Sequence, residues 1–548
     1  MRRVRSSVPL HPRRRATAPW ALAGLALAAA LPAVSAQPAA AASASAKERR
    51  LASSVAATAA SRRHATVSGL GSRARRESKL RSGVGRIGAP EALTVGPAEG
   101  GHRMLQTADG RRVELRGANV AALIDYAGAH GTVPVGAADA AQAQALGLTV
   151  VRLGLSWSRI QPRAGVIDQA YLAQVERVGR AYAERGVYVL LDMHQDRYAA
   201  GLGQPFSAES DGAPRWAVAT QGASCDTVSG ALQGQSYYLT PCAAAAADSF
   251  FSNRTVAGRP LQSWYADAVS AVTATGRRIG PGFAGIELYN EPRTPRPGTE
   301  AAWATNQLFP FYRRMIQRLR ADGYTGPVWL DPVGGSVSAL GDDQIVLAPH
   351  VYTDVYTGGG PTGATAGALK REYTRLQGQA KALGAALVPG EFAGAGGGVW
   401  ESYRRWQLDE LDRTRAGGII WVWKQHATKD YGWGVLAADG GLRRGTGIAQ
   451  DLGRPRVMAA VPAIREVSAS DDRLVVETSG RGIVELWTGM ATGGQAERGR
   501  AWRLTVDGAP AQGAIVRTST TKLPNATIGG RRIRVTVPSG RTVLRLSR

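Results

Sequence analysis

The sequence predicts an α/β protein: a (β/α)8 TIM barrel followed by a small C-terminal antiparallel β-sandwich. Three observations predict it. Between residues 101 and 461, short apolar or β-branched runs alternate with stretches of helical periodicity. Polar and ionisable residues recur where those runs stop. From residue 462 onward the helical stretches give way to short alternating strands broken by Gly, Asp, Asn and Pro.

The chain has 548 residues, of which 44% are hydrophobic, enough for two packed domains. It opens with Arg2, Arg3, Arg5 and Arg13 to Arg15, then the apolar stretch APWALAGLALAAALPA, then VSA ending at Ala36. A positive head, an apolar middle and a small-residue end mark a secretory signal peptide over residues 1–36, so the mature protein is expected to be secreted. The triple arginine allows a twin-arginine route, although no bulky apolar residue follows at the usual spacing. A permanent span is disfavoured, because it needs about 20 strongly apolar residues and this stretch is short and alanine-rich.

Residues 37–100 are Ala, Ser, Arg and Gly with almost no aromatics, and are expected to form a disordered basic leader. Residues 1–100 hold 17 Lys and Arg against four Glu, so about half of the net charge of +25 belongs to this segment. A basic exported protein is compatible with peripheral contact with anionic lipid surfaces. No motif supports nucleic-acid binding, and a monomer is expected. The two cysteines, Cys225 and Cys242, share one loop-like region and suggest a local disulfide in an oxidising compartment. So few cysteines argue against a thiol nucleophile or a zinc site.

The barrel strands are expected at RRVELRGAN (111–119), LTVVRLGLSW (148–157), VYVLLDMH (187–194), GFAGIELYNE (282–291), PVWLD (327–331), IVLAPHVY (345–352), ALVPGEF (386–392) and GGIIWVWK (417–424). Amphipathic stretches such as AYLAQVERVGRAYAERG separate them, which implies parallel strands with right-handed crossovers. Eight such units indicate a closed barrel, and no Gly-rich dinucleotide fingerprint supports an open doubly wound sheet. The trailing runs REVSASDDRLVVETSG, GIVELWTG, RAWRLTVDG, RRIRVTVPSG and RTVLRLSR complete the sandwich over 462–548, with nothing helical expected there. Packing against the barrel is its plain role, and surface or carbohydrate binding the sharper one.

Barrel enzymes place chemistry at the carboxyl ends of their strands. Those ends carry Arg152, Asp192 and His194, Asn290 and Glu291, His350 and Tyr352, Glu391, and Trp421 and Trp423. Glu291 after the fourth strand and Glu391 after the seventh can face each other across the barrel mouth. Such a pair suits cleavage of a glycosidic bond, one carboxyl protonating the leaving oxygen and the other attacking the anomeric carbon. The Asn290 amide is expected to hydrogen-bond a sugar hydroxyl, and Arg152 and Tyr352 to hold Glu391 ionised. Glu291 is thereby assigned as acid/base and Glu391 as nucleophile, with Trp423 offering a flat apolar face to a pyranose ring.

The series VVRLGLSWSRIQP, LLDMHQD, LYNEP, HVY, VPGEF and WVWKQ, in this order, resembles glycoside hydrolase family 5, and LDMHQD with RLGLSWSRIQP is most similar to its endoglycoceramidase branch. The resemblance covers residues 101–455 by motif. It implies a retaining mechanism with Glu291 as acid/base and Glu391 as nucleophile, supported by Arg152, His194, Asn290, His350, Tyr352 and Trp423. It further implies that Asp192, His194 and Asp196 bind glycan hydroxyls, that the substrate is a glycan or glycolipid cut between sugar and ceramide, and that no cofactor or metal is needed. Candidates for an apolar strip beside the acid/base are Trp216, Phe250, Phe251, Trp264 and the LFPFY run at 308–312, core packing of its helix being the favoured role of that last run.

Other family 5 activities remain open: an endo-β-glucanase, a β-galactanase, or a glycosidase acting on sterol or other lipid glycosides. A carbohydrate- or surface-binding protein is the non-enzymatic alternative, against which the presence of both glutamates argues. Metal-assisted hydrolysis through Asp192, His194 and Asp196 lacks a second ligand cluster to complete the shell.

Overall fold

The parallel strands are buried along their whole length, as Val150–Ser156 and Tyr188–His194 are, because helices cover one face and the barrel interior the other. The structure is a computed structural model that describes residues 90–547 apart from 100, 125–134, 197, 200–201, 203–211, 225–239, 297, 333–337, 357–359, 426–431, 444, 499–501 and 512. The expected signal peptide and most of the expected leader lie outside the described residues. Among the described residues no helix is long and apolar enough to cross a membrane.

An N-terminal antiparallel unit comes first: β1 (Thr94–Glu99), β2 (His102–Gln106) and β3 (Arg112–Val113). This corrects the expected leader, which ends before β1 and not at residue 100. The barrel follows with β4 (Arg116–Val120), β5 (Val150–Ser156) and β6 (Tyr188–His194). A minor hairpin, β7 (Thr255–Val256) and β8 (Arg259–Pro260), precedes β9 (Phe283–Glu287) and β10 (Val328–Leu330). The sixth and seventh barrel strands are each in two pieces, β11 (Ile345–Leu347) with β12 (His350–Val351), and β13 (Ala386–Leu387) with β14 (Glu391–Phe392). Pro349 and Pro389 sit in the gaps, where their missing N–H groups interrupt the ladder. Finally β15 (Gly418–Ile420) pairs in parallel with β4 and closes the barrel. The first barrel strand is thus 116–120 and not 111–119, since Arg112–Val113 turns back to join the hairpin.

Helix boundaries follow local chemistry. In helix Gln169–Ala183 the Asp168 carboxylate caps the Tyr171 N–H at 2.9 Å, and Leu172, Val175, Val178 and Tyr182 form its buried stripe. Helix Thr365–Leu383 stops at Gly384, whose φ of +63° suits a residue without Cβ.

Side chains facing into the barrel form two layers. The lower layer is apolar, with Val150, Leu190, Ala284, Trp329, Val346, Ala386 and Ile419, and Leu93, Val95 and Leu105 of the N-terminal unit plug its floor. Two residues further along β5 and β6 stand Arg152 and Asp192, because side chains alternate with period two, and Asp331 and Trp421 follow directly after the last residues of β10 and β15. A bulge in the pairing of β6 with β9 occurs at Gly285, with φ +129° and a Cβ position only 2.3 Å from the Pro327 carbonyl oxygen. After that bulge Glu287, not Ile286, points inward beside Arg152.

The C-terminal strands form two sheets around a separate apolar core that includes Val476, Val484, Leu486, Val535 and Leu544. One sheet runs β16 (Arg456–Ala460), β19 (Gly482–Trp487), β24 (Thr527–Val537) and β23 (Ala514–Lys522), and β16 pairs with β3, making it continuous with the N-terminal unit. Short β20 (Ala491–Thr492) also pairs with β24. The other sheet is β17 (Ala463–Ala469), β18 (Arg473–Ser479), β25 (Arg541–Ser547), β21 (Arg503–Val506) and β22 (Ala509–Pro510). Two expectations are corrected: the sandwich starts at Arg456, not 462, and it contains a short helix, Gly494–Arg498.

Candidate active site

Arg152 is the hub of the upper layer, with its side chain fully buried. Its Nε and Nη2 donate to the two oxygens of Glu287 at 2.7 and 2.9 Å, a bidentate pair. Nη1 donates to Asn119 Oδ1 at 2.8 Å and to Glu391 Oε1 at 3.0 Å, and Nη2 to Asn290 Oδ1 at 2.7 Å. Asp192 Oδ1 lies 3.1 Å from the same Nη2. Arg152 thus reaches Glu391, the contact expected from the sequence, from a position sealed in the protein.

Asp192 and Asn290 are likewise buried and hydrogen-bonded within the protein. Asp192 Oδ2 lies 2.7 Å from His194 Nδ1, and Asn290 Nδ2 donates to the Gln195 carbonyl at 2.9 Å. His194 Nε2 is 3.4 Å from Asp196 Oδ1, and the Asp196 side chain is 37% exposed, so the row from Arg152 through Asp192 and His194 reaches solvent there. Burial disfavours the His194 cation, but the charges and hydrogen bonds of Asp192 and Asp196 outweigh it and hold the ring well above the usual histidine range.

The two glutamates meet over this floor. One oxygen of Glu291, one of Glu391 and a ring nitrogen of His350 all lie within 4.8 Å of one another. His350 Nδ1 is 2.9 Å from Glu291 Oε1 and 3.4 Å from Glu391 Oε2, and Tyr352 donates its hydroxyl to Glu391 Oε2 at 2.8 Å. Burial lowers the His350 pKa, yet Glu391, Asp331 and Glu291 together push it up to about 9, so the ring is a cation at neutral pH. Glu291 holds φ +39°, a backbone conformation that a side chain with Cβ rarely adopts.

Electrostatics divides the pair. For Glu391, burial and the charge of Glu291 raise the pKa against the pull of His350 and Arg152. For Glu291, burial is outweighed by Arg293, whose Nη2 lies 2.7 Å from Oε2, and by His350, so its carboxyl is held well below the usual range. Asp331, at the end of β10, accepts the Glu291 backbone N–H at 3.2 Å. Burial, with Glu291 and Glu287 nearby, pushes its pKa up to about 8. Glu291, His350 and Glu391 have the donor types of a cation site. Two guanidiniums, Arg152 and Arg293, already share their carboxylates and would repel a metal ion there.

Trp423 does not offer a face to a sugar: it is 2% exposed and its Nε1 donates to Asp139 at 2.9 Å. Beyond Ile420 the strand has ended, and Trp421 takes the place at the mouth, stacked on His194 with centroids 5.7 Å apart and planes 14° from parallel. Tyr356 and Trp433, stacked at 6.5 Å, add partly exposed rings beside Tyr352. Phe309, Phe311 and Tyr312 are core residues, the role favoured for their run; Phe250 and Phe251 are core residues too, and Trp216 and Trp264 pack edge-on against each other. Cys242 is buried and disulfide-bonded, whereas Cys225 lies outside the described residues. Sequence reasoning missed Asn119, Glu287, Asp331 and Arg293 as site residues and preferred Trp423 to Trp421; the charged Glu287 within an apolar run and Asp331 at a strand end were the available signals.

The pattern of Cellulase (glycosyl hydrolase family 5) matches residues 107–246 and 281–427. The chain is 30% identical over 229 residues to Endoglycoceramidase I of Rhodococcus hoagii (strain 103S), a match covering 38% of this chain and 43% of that protein. A crystal structure of endogalactoceramidase superposes with a TM-score of 0.63 at 24% identity, covering 83% of this chain and 99% of that one. A lactosyl-enzyme intermediate of endo-glycoceramidase II from Rhodococcus sp. superposes equally well, with a TM-score of 0.63, 23% identity, and coverage of 84% and 99%. At these identities the two structures share the fold.

Proposed function

The chain belongs to glycosyl hydrolase family 5, and from that premise we propose that it is a retaining, endo-acting glycosidase that cleaves the bond between glycan and ceramide in glycosphingolipids. The observation that carries the mechanism is the carboxylate spacing: facing atoms within 4.8 Å suit direct attack by one glutamate, whereas inversion needs about 6.5 to 9.5 Å to admit a water. The lipid substrate rests on the motif series and on the endoglycoceramidase relative.

In this reading Glu391 attacks the anomeric carbon, held in place by Arg152 and by Tyr352. The glycosidic C–O bond breaks, its electron pair goes to the leaving oxygen, and Glu291 protonates that oxygen. Glu291, now a carboxylate, takes a proton from water as the water oxygen bonds to the anomeric carbon; the bond to Glu391 breaks and its electron pair returns to the Glu391 carboxylate, releasing the sugar. His350 bridges both glutamates and spreads their charge, and Trp421 with His194 lines the sugar side. The signal-peptide pattern of residues 1–36 supports a secreted enzyme, and the basic chain supports contact with anionic lipid surfaces. A monomer is part of the same proposal.

Burial of Phe250 and Phe251, candidates for the apolar strip, favours a second reading, a family 5 enzyme for soluble β-glucans. Incubation of the purified protein with gangliosides and with a soluble β-glucan panel separates the two. Release of an intact oligosaccharide with retained β configuration, followed by NMR at early times, is expected. Cleavage of glucans with the glycolipids left intact overturns the lipid substrate, and an inverted product overturns the mechanism.

A further inference from the structure

One cation at the mouth has no part in that mechanism. Arg293 stands two residues after Glu291, on the loop beyond β9, with Nη2 2.7 Å from Glu291 Oε2. His350 holds the other oxygen, Oε1, at 2.9 Å. Both oxygens of the proposed proton donor are therefore engaged by cations in the empty site. The two cations differ in place. The His350 side chain is 6% exposed and also reaches Glu391 Oε2, so it lies between the two carboxyl groups. The Arg293 side chain is 37% exposed and so lies on the solvent side of Glu291. Oε2 is thus the oxygen on the more open side, and Arg293 covers it.

The geometry points to Arg293 as a specificity-determining residue on the aglycone side, which gives up Glu291 Oε2 only to a substrate whose aglycone carries an acceptor oxygen for the guanidinium, such as the amide carbonyl of an N-acylated sphingoid base. This rests on the retaining reading above. With the guanidinium moved to that acceptor, Glu291 takes up a proton from solvent at the exposed rim and donates it to the glycosidic oxygen as the C–O bond breaks. When the aglycone departs, Arg293 returns to Glu291 and favours the carboxylate that must next act as base on water. The groups facing Glu291 are Arg293 from its own loop, Asp331 after β10, His350 and Tyr352 in and after β12, and Glu391 in β14. Among them Arg293 is the cation with access to solvent, and so the one that substrate can displace.

The test uses the full chain and three lactosides: lactosylceramide, lactosylsphingosine, which lacks the amide, and 2,4-dinitrophenyl lactoside, whose leaving group departs without a proton. For lactosylceramide, R293M is expected to move the basic limb of kcat/KM up by one pH unit or more, because the free enzyme's donor loses a neighbouring positive charge. The dinitrophenyl substrate is expected to show no such movement. The preference for lactosylceramide over lactosylsphingosine is expected to fall about tenfold or more. R293K, which keeps the charge but not the planar fork, is expected to keep the limb and lose the preference; it decides the matter if R293M fails to fold. An unmoved limb in a folded R293M, or an unchanged preference in either variant, overturns the proposal. Wild-type release of dinitrophenol that survives E391A overturns the retaining reading instead.

Discussion

Two ionic clusters, one at the barrel mouth and one where the sandwich meets the N-terminal unit, differ in charge balance. At the interface the fully buried carboxylate of Glu485 lies among Arg111, Arg532 and Arg534, with Nη1 of Arg111 at 3.0 Å and Nε of Arg534 at 2.6 Å, while Arg111 also pairs with the half-exposed Asp109 and Glu91. Burial works against its charge, but the arginines outweigh burial and hold its pKa below the ordinary value. At the mouth, Arg152, His194, His350 and Arg293 face Asp192, Asp196, Glu287, Glu291, Asp331 and Glu391. Carboxylates outnumber cations there, and burial with like charge nearby raises the pKa of Asp331 to about 8 and that of Glu391 above its ordinary value. Around Glu485 the arginines lock one buried charge in place, whereas the mouth gathers more carboxylates than cations around the proposed reacting pair. Structure is the use of the first and chemistry the use of the second.

The largest expected effect lies at the mouth. E391A is expected to reduce glycolipid turnover by about 10⁴-fold or more, because the attacking atom is gone. Removing one of several crowded carboxylates is expected to leave the Tm unchanged or raise it. A Tm that falls steeply with activity breaks the comparison, since it makes the mouth a structural cluster like the other. Next comes E291A, expected to cost roughly 10²- to 10⁴-fold on glycolipid, the usual worth of general acid catalysis, and much less on a dinitrophenyl glycoside. Equal losses on both substrates remove Glu291 from the role of proton donor.

E485Q is expected to lower stability by about 2–3 kcal/mol in denaturant titration, because Arg532 and Arg534 lose their carboxylate partner while Arg111 keeps Asp109 and Glu91. The half-exposed side of Arg534 keeps this below the full cost of breaking a buried ion pair. Its specific activity, measured on the folded fraction, is expected to match wild type. The smallest effects are in pH dependence and have opposite sign in the two clusters. The folded-state pKa of Asp331 is raised from 3.8 to about 8, so the folded protein binds more protons in that window and stability falls as pH rises through it. D331N is expected to flatten that decline. Glu485 is depressed below 4.5, so its contribution is present above that pH and is lost as pH falls; E485Q is expected to flatten the acid side instead. Tm measured from pH 3 to 9 distinguishes these outcomes.

Much of this was legible in the chain. The eight barrel strands fall in their expected order, and Glu291 and Glu391 meet across the mouth, because an apolar run followed at once by a polar residue is a local signal. The direction of a side chain inside the barrel is a different matter. Period-two alternation holds only while a strand is regular, and here it is reset at the Gly285 bulge and by the breaks before His350 and Glu391. Glu287 was therefore passed over as the partner of Arg152. Trp423 was preferred to Trp421 for a related reason, because the strand ends at Ile420 and alternation says nothing beyond it.

By itself the sequence determined the architecture, the family and the identity of the two opposed glutamates, since each depends on the order and spacing of residues along one chain. Only the tertiary structure decided which charges meet. Arg152, Glu287 with Arg293, Asp331 and His350 come from four separate stretches of the chain, and the surroundings of each glutamate depend on distances of about 3 Å between those stretches. Coulomb energies in a buried site fall off over such distances, so no one-dimensional pattern could have told which charges surround each glutamate.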